Sequence, residues 1–388
     1  MSEIRFNSQP EGRFDRHQLI SWWDQERLSR ARVIVAGAGA VGNEVLKLLA
    51  LIGVGSLTVV DFDVVSASNL SRMVLFRQQD VGRPKVEVAV ERLREINPEM
   101  QVRAVNGDLR YSLGLGDYRD ADLVLGCLDS VNARWALNRQ CFLAGVEWLD
   151  SGISDYHGLV ARYSPRQGAC YECTFSAATL ERFNQRYSCP FGLLVEQGEN
   201  KVPTTAVTSS AIAALQVQQA LLMLHGVEAE ALQPGERLML YFKPFHLVRD
   251  HLPQNPDCLA HLTLPEDIPQ AACSPEWNVE ETFSLARGLY PQLEFLDLGY
   301  DLVTGFYCSN CDQQQAMLRL KDSVFQHEAR CPQCGELRQP EIVSIIEVGS
   351  PLCAVKLRDL HIPPRHILAF GQGEQRFYLR MKDNYQDD

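Results

Sequence analysis

The chain has no surplus of positive charge. Its 37 Lys and Arg residues stand against 49 Asp and Glu, a net charge of −12 at pH 7. That balance argues against a nucleic-acid-binding surface and leaves room for a local basic pocket. The N-terminal stretch "MSEIRFNSQPEGRF" lacks the basic-then-apolar pattern of a secretion signal. The longest apolar segment, around "AVTSSAIAALQVQQALLML", carries Gln216, Gln218 and Gln219. It is expected as a buried helix and not as a membrane span. There is no internal repeat. Cysteine, by contrast, is plentiful: twelve residues. Without a secretion signal, they point to metal or catalytic thiols in a reducing compartment rather than to a disulfide framework. The expectation is a soluble, cytoplasmic protein whose 388 residues suffice for two or three domains.

Alternation of short apolar runs with helical periodicity predicts the fold. "RFDRHQLISWWDQERLSRA" reads as a polar amphipathic helix or helix pair, and "RVIVAGAGAVGNEVLKLLALIGVGSLTVVD" as strand, tight turn, helix, strand. "PKVEVAVERLREINP" is helical, "MQVRAVNGD" a strand, "ADLVLGCLDS" an apolar run ending in polar residues, "ARWALNRQCFLAG" a helix and "VEWLDSGIS" a strand. This order indicates an α/β, doubly wound, mainly parallel sheet of Rossmann-like type. Residues 165–203 lose periodicity, with a long loop at about 174–203. A buried helix and a hairpin, "RLMLYFKPFHLVRDHL", follow. The expected division is 1–262, a Pro-rich linker at 263–275, and a smaller β-rich C-terminal domain at 276–388.

"GAGAVG" places Gly37, Gly39 and Gly42 between a strand and a helix. Such a turn lets backbone approach a phosphate at a helix N-terminus. Asp61 ends the next strand, 19 residues past Gly42, where an acid accepts from a ribose hydroxyl. These two features fit a nicotinamide enzyme and an ATP-using enzyme equally. The stretch "VVDFDVVSASNLSRM" separates them. It adds Asp63, Asn69 and Arg72, and "VGRPKVEVA" adds Lys85. A nicotinamide enzyme leaves its pyrophosphate intact and needs few cations there. Attack on the α-phosphate of ATP requires charge neutralisation. Asp129, at the tip of "LVLGCLDS", sits where a strand end can hold Mg2+.

"GAGAVG", "DFDVVSASNLSR", "VGRPK" and "CLDS", in this order and spacing, closely resemble the ThiF-like family of ubiquitin-activating enzymes and sulfur-carrier adenylyltransferases. The resemblance covers about residues 10–262. It implies Asp61 on the ribose, Asn69, Arg72 and Lys85 around the phosphates, and Asp129 on Mg2+ with Asp63 nearby. It also implies a homodimer in which Arg16, from "RFDRHQL", reaches the γ-phosphate of the neighbouring subunit. The family usually has Gln after the arginine; here it is Met73. The implied reaction joins the C-terminal glycine carboxylate of a ubiquitin-like protein to AMP.

The cysteines divide by spacing. Cys308-x-x-Cys311 and Cys331-x-x-Cys334, nineteen residues apart, form a zinc-ribbon pattern whose four thiolates leave no open position. Cys170-x-x-Cys173 needs partners elsewhere. The family closes this site with a second CxxC after the hairpin, and Cys258 and His261 keep that spacing here. Two structural Zn2+ sites are therefore expected. Cys189, in "RYSCPFG" with Arg186 close by, lies in the loop where the family carries a thioester-forming cysteine. Activating enzymes that serve ubiquitin show a Thr soon after it, whereas Pro190-Phe191 follows here. "LRDLHIPPRHIL" resembles the C-terminal ends of activating enzymes, where a β-rich domain recruits a conjugating enzyme. Three readings follow: activation with thioester capture on Cys189 and transfer; adenylation of a sulfur carrier, with Cys189 dispensable; and an inactive scaffold subunit, which has no reason to keep Arg16, Asp61, Arg72, Lys85 and Asp129 together.

Overall fold

The computed structural model describes residues 12–176, 179 and 204–382. An eight-stranded sheet has the order β3-β2-β1-β4-β5-β6-β7-β8. Its first five members are parallel: β1 (Arg32–Ala36), β2 (Ser56–Asp61), β3 (Gln101–Asn106), β4 (Leu123–Gly126) and β5 (Trp148–Ile153). Antiparallel β6 (His157–Tyr163), β7 (Glu236–Phe242) and β8 (Phe245–His251) complete it, the last two as the expected hairpin. The mainly parallel sheet therefore carries an antiparallel wing.

The central strands are continuous apolar runs because both faces are covered. Val33 and Val35 of β1 join one core, while Ile34 and Ala36 join the other, as the two-residue side-chain period of a strand requires. Helices α2 (Ala40–Ile52), α3 (Lys85–Ile96) and α7 (Ala206–His225) supply residues to the first core, α4 (Leu109–Ser112), α5 (Leu115–Asp120) and α6 (Val131–Ala144) to the second. Among the described residues, α7 alone is long and apolar enough to cross a membrane. It packs instead against α2, β5 and β6, and its Gln216 donates to the carbonyls of Gly126 and Leu149 at 3.1 and 2.9 Å.

The polar N-terminal stretch forms a one-turn 3-10 helix, His17–Leu19, and the short α1 (Gln25–Arg30). Between them, Trp22 and Trp23 pack on His225 at the end of α7, with ring centroids 5.3 and 5.0 Å apart.

The C-terminal sheet has the order β11-β10-β13-β14-β9, with β12 also on β10. Its strands are β9 (Gln270–Ala272), β10 (Phe295–Cys308), β11 (Gln313–Leu320), β12 (Gln339–Glu347), β13 (Ile367–Gln372) and β14 (Gln375–Lys382), and α8 (Val279–Arg287) packs into its core. The stretch read as a linker contributes β9, which pairs in parallel with β14. The two sheets meet at α5: Gly116 N donates to Arg365 O at 2.9 Å, and the Arg365 and Arg380 guanidiniums both reach Asp120.

Candidate active site and metal centres

β1 and β4 are neighbours at the point where the parallel strand order reverses, and ligands of such sheets bind at the carboxyl ends there. Gly37 follows β1 with φ +98°, a left-handed conformation open to glycine. A Cβ on Gly37 would stand 2.5 Å from the Cys127 carbonyl after β4, and one on Gly42 would stand 1.9 Å from the Gly37 carbonyl. The turn therefore closes only with these glycines. Gly39 caps α2 with open space around its missing Cβ. That leaves room for a phosphate at the helix N-terminus.

Asp61, at the end of β2, spans this turn. Its carboxylate accepts from Ala38 N at 2.7 Å and from Asp63 N at 2.8 Å. Those bonds fix it and leave lone pairs for further donors. Burial raises its pKa, against the lowering pull of Lys85. Lys85, at the start of α3, is buried, and its ammonium meets Asp63 at 2.6 Å. The loop between β2 and α3 is closed at its base by Val65 N donating to Arg83 O and by Gly82 N donating to Val65 O. Asn69 is buried and its Oδ1 accepts from Ser66 N at 3.0 Å. Arg72 Nη1 donates to Ser68 O at 2.9 Å, while its Nε is buried with no hydrogen-bond partner among the described residues. A guanidinium held this way is a preorganised anion donor.

The structure thus gathers Gly37, Gly39, Gly42, Asp61, Asp63, Asn69, Arg72 and Lys85 about one turn and one loop. Asp129 is exposed on the adjacent loop between β4 and α6. Arg16 lies elsewhere. Phe14 packs where Gly53 ends α2, and Arg13 Nη1 donates to Ile96 O at the end of α3. The segment therefore sits at the far end of α2 from the glycine turn, about 20 Å away at 1.5 Å per residue. Cys189 lies outside the described residues.

Two cysteine clusters form. Cys170, Cys173, Cys258 and His261 bring their ligand atoms within 4.8 Å of one another. Cys170 Sγ lies 3.7 Å from both Cys173 and Cys258, and Cys173 Sγ lies 3.2 Å from His261 Nε2. The Arg139–Glu172 ion pair at 2.9 Å ties the first knuckle to α6. Cys308, Cys311, Cys331 and Cys334 also converge within 4.8 Å. Gly335, φ +75°, follows the second pair, and its N donates to Cys331 O at 2.9 Å. Hydrogen bonding from Asn310, with help from the Glu336 backbone, pulls the Cys334 thiol down to about 6. Lowering favours the thiolate, the form that binds metal. Both donor sets fit a tetrahedral, closed Zn2+ site.

The sequence model of the ThiF family matches residues 14–260, which takes in the glycine turn, the arginine loop and the three cysteines of the first metal cluster, ending one residue before His261. This chain belongs to the ThiF family. Over 165 residues it is 37% identical to the molybdopterin-synthase adenylyltransferase of Escherichia coli (strain K12), covering 42% of this chain and 66% of that protein. It is 39% identical over 156 residues to the sulfur carrier protein adenylyltransferase of Thermus thermophilus, covering 39% and 58%. With ubiquitin-like modifier-activating enzyme 5 of Dictyostelium discoideum it shares 28% over 248 residues, covering 60% and 62%. The chain spans less than two thirds of the length of these relatives. Among solved structures, E. coli MccB with ATP superposes with a TM-score of 0.54 at 24% identity, covering 66% of this chain and 75% of that one. That likeness is one of fold.

Within this ThiF-family frame, Met73 is 5% exposed and packs in the core beside Leu75 and Phe76. The side chain that replaces the usual Gln therefore points inward. Two polar contacts near the site escape the sequence reading. Asn43 Oδ1, on the first turn of α2, accepts from Leu75 N at 2.7 Å. Arg134 Nε donates to Asp150 Oδ1 at 3.0 Å, and its Nη2 donates to Ser151 O at 3.0 Å, behind the loop that carries Asp129. Burial raises the Asp150 pKa, with Arg134 opposing. Asp150 lies inside β5 (Trp148–Ile153) and not at its end, unlike Asp61 at the end of β2.

Proposed function

We propose that this chain adenylates the C-terminal glycine of a ubiquitin-like protein, captures it as a thioester on Cys189 and passes it to a conjugating enzyme. One observation carries the first step: Arg72 and Asp63, on the loop directly beyond the ribose-type acid Asp61, stand with Lys85 at the start of α3, which pairs with Asp63. Cations in that place have work to do when the triphosphate is cleaved and little when a pyrophosphate stays intact.

In this reading residues 1–262 form the adenylation domain and 276–388, with β9 from the 263–275 stretch added to its sheet, the domain that meets the conjugating enzyme. The glycine turn and α2 hold the phosphates, and Asp61 holds the ribose. A glycine carboxylate oxygen attacks the α-phosphorus and the bond to the bridging oxygen breaks. The acyl adenylate and pyrophosphate result. Arg72 and Lys85 neutralise the departing charge, and the carboxylate is already ionised at neutral pH, so no general base is required. Asp129, with Asp63 near, would hold Mg2+, which supplies further charge neutralisation on the phosphates. Because Arg16 is held at the far end of α2 from its own glycine turn, it would serve the site of a second copy, so the working unit is a homodimer. The Cys189 thiolate then attacks the acyl carbonyl and AMP leaves. The two clusters hold structural Zn2+.

A second reading rests on the relatives named for molybdopterin synthase and a sulfur carrier: the reaction stops at the adenylate and Cys189 is dispensable. One experiment separates the two. The protein and Cys189→Ala are mixed with Mg-ATP and ubiquitin-like proteins ending in glycine, then followed on a non-reducing gel, by intact mass and by pyrophosphate release. A thiol-sensitive adduct lost in the variant supports thioester capture. Pyrophosphate release equal in both proteins, without adduct, supports the sulfur-carrier reading. No pyrophosphate with any substrate overturns both.

A further inference from the structure

Asn43 directly follows Gly42 on the first turn of α2 and is 0% exposed. Its Oδ1 accepts from Leu75 N at 2.7 Å. A backbone N–H needs an acceptor, so this bond fixes which way the amide points. Its Nδ2 is then left buried with no partner among the described residues. An unpaired buried donor is costly, and an aliphatic side chain would avoid it. What the position gains in return is the acceptor.

Leu75 lies three residues beyond Arg72, and its neighbours Met73 and Phe76 pack into the core on the α2 side of the sheet. The loop from Phe62 to Pro84 is pinned at its base by the Val64–Pro84 bridge. Asn43 pins it at its middle. Between these points Ser66 and Asn69 cap a short turn, and Arg72 donates back to Ser68 O. The glycine turn and the arginine are thereby attached to one helix end.

We propose that Asn43 is a positioning residue that locks the Arg72 loop to the phosphate-binding turn, so that the guanidinium meets the reacting phosphates in a fixed geometry. It touches no reacting atom and acts through Leu75 and Arg72. The proposal rests on the adenylation reading for its kinetic part and stands on geometry for its structural part.

The test compares Asn43→Leu, nearly isosteric without an acceptor, with Asn43→Asp, which keeps one. Amide exchange at Leu75 is measured in the nucleotide-free proteins. Affinity for ATP with an α,β-methylene bridge is measured by calorimetry, and turnover by pyrophosphate release. In Asn43→Leu, Leu75 exchange accelerates and turnover falls about 10- to 100-fold, while nucleotide affinity moves less than about 3-fold. In Asn43→Asp, Leu75 stays protected. Unchanged exchange and turnover in Asn43→Leu overturn the proposal, and so does a loss of affinity equal to the loss of rate. If Asn43→Leu does not fold, Leu75 exchange in the unaltered protein decides: protection like that of α2 supports the lock, and exchange at the rate of neighbouring loop amides overturns it. Absence of pyrophosphate from the unaltered protein would sink the adenylation reading and leave the exchange result standing by itself.

Discussion

The Lys85 ammonium lies 2.6 Å from the Asp63 carboxylate, the lysine buried and the acid half exposed. Removing one member of such a pair leaves the other without its compensation. In the adenylation reading, a phosphate oxygen arriving at the site would compete with Asp63 for the same ammonium. Asp63→Ala is therefore expected to lower the melting temperature of the free protein, and Mg-ATP is expected to restore more of it than it adds to the unaltered protein. Lys85→Ala is expected to cut pyrophosphate release by about 10²- to 10³-fold, the loss typical of one charge-stabilising donor. Melting curves with and without Mg-ATP check the first outcome, and the pyrophosphate assay checks the second. A Lys85→Ala protein with undiminished release would remove the lysine from the chemistry.

The metal clusters make a separate prediction. Each brings four ligand atoms within 4.8 Å, and zinc bound to such a set contributes directly to folding. Elemental analysis of the purified chain is expected to give two zinc ions per molecule. Cys308→Ser and Cys258→Ser are each expected to lose one of them. The first cluster lies against the core built on Phe142, whose ring meets His261 edge-on at 5.2 Å, and Cys308 of the second is itself buried, so both variants are expected to melt at a lower temperature than the unaltered protein.

Much of this arrangement is legible in the sequence because it depends on short-range patterns. The glycine turn, Asp61 and the first helix follow from an apolar run, a glycine spacing and a second apolar run, each local to the chain. The zinc-ribbon cluster follows from paired spacings, whereas Cys258 and His261 as partners of Cys170 and Cys173 follow from the family resemblance. Contacts made across the fold are less legible. Asn43 finds Leu75 N, 32 residues away, and any residue but proline carries a backbone N–H to offer, so no residue type marks the bond. Strand β9 is three residues with no alternation, and it exists because β14 offers an edge beside it. The N-terminal stretch, read as a helix or helix pair, forms two short helical pieces, and Trp22 and Trp23 between them pack against His225. That packing arises only once α7 is in place.

Arg134 and Asp150 form an ion pair at 3.0 Å with little exposure of either side chain. Arg134→Met leaves Asp150 buried beside an apolar group and is expected to destabilise by about 3–5 kcal/mol. Replacing both, as Arg134→Met with Asp150→Leu, is expected to cost less than the single change, because no buried charge remains. Denaturant unfolding of the two single variants and the double variant measures the coupling. Additive losses would mean that the charges do not interact.

His366 links folding to pH through the seam between the two sheets. It is half-buried as a residue, but its ring is enclosed, and that burial pushes its pKa down from 6.5 to about 4. Leu115 N donates to its Nδ1 at 3.4 Å, an arrangement that suits the neutral ring. Arg365, Asp117, Asp120 and Arg380 elsewhere in the seam pair with one another. An imidazole with a lowered folded pKa takes up its proton in the unfolded chain first. Its contribution to stability is then fully present above pH 6.5 and is lost as the pH falls toward 4. The difference of 2.5 (6.5 − 4) corresponds to at most about 3–4 kcal/mol at 1.36 kcal/mol per unit. His366→Gln cannot titrate and is expected to flatten that part of the stability profile while lowering the plateau at neutral pH. Melting temperatures of both proteins between pH 4 and 7 test this, and parallel profiles would show that His366 does not titrate on unfolding.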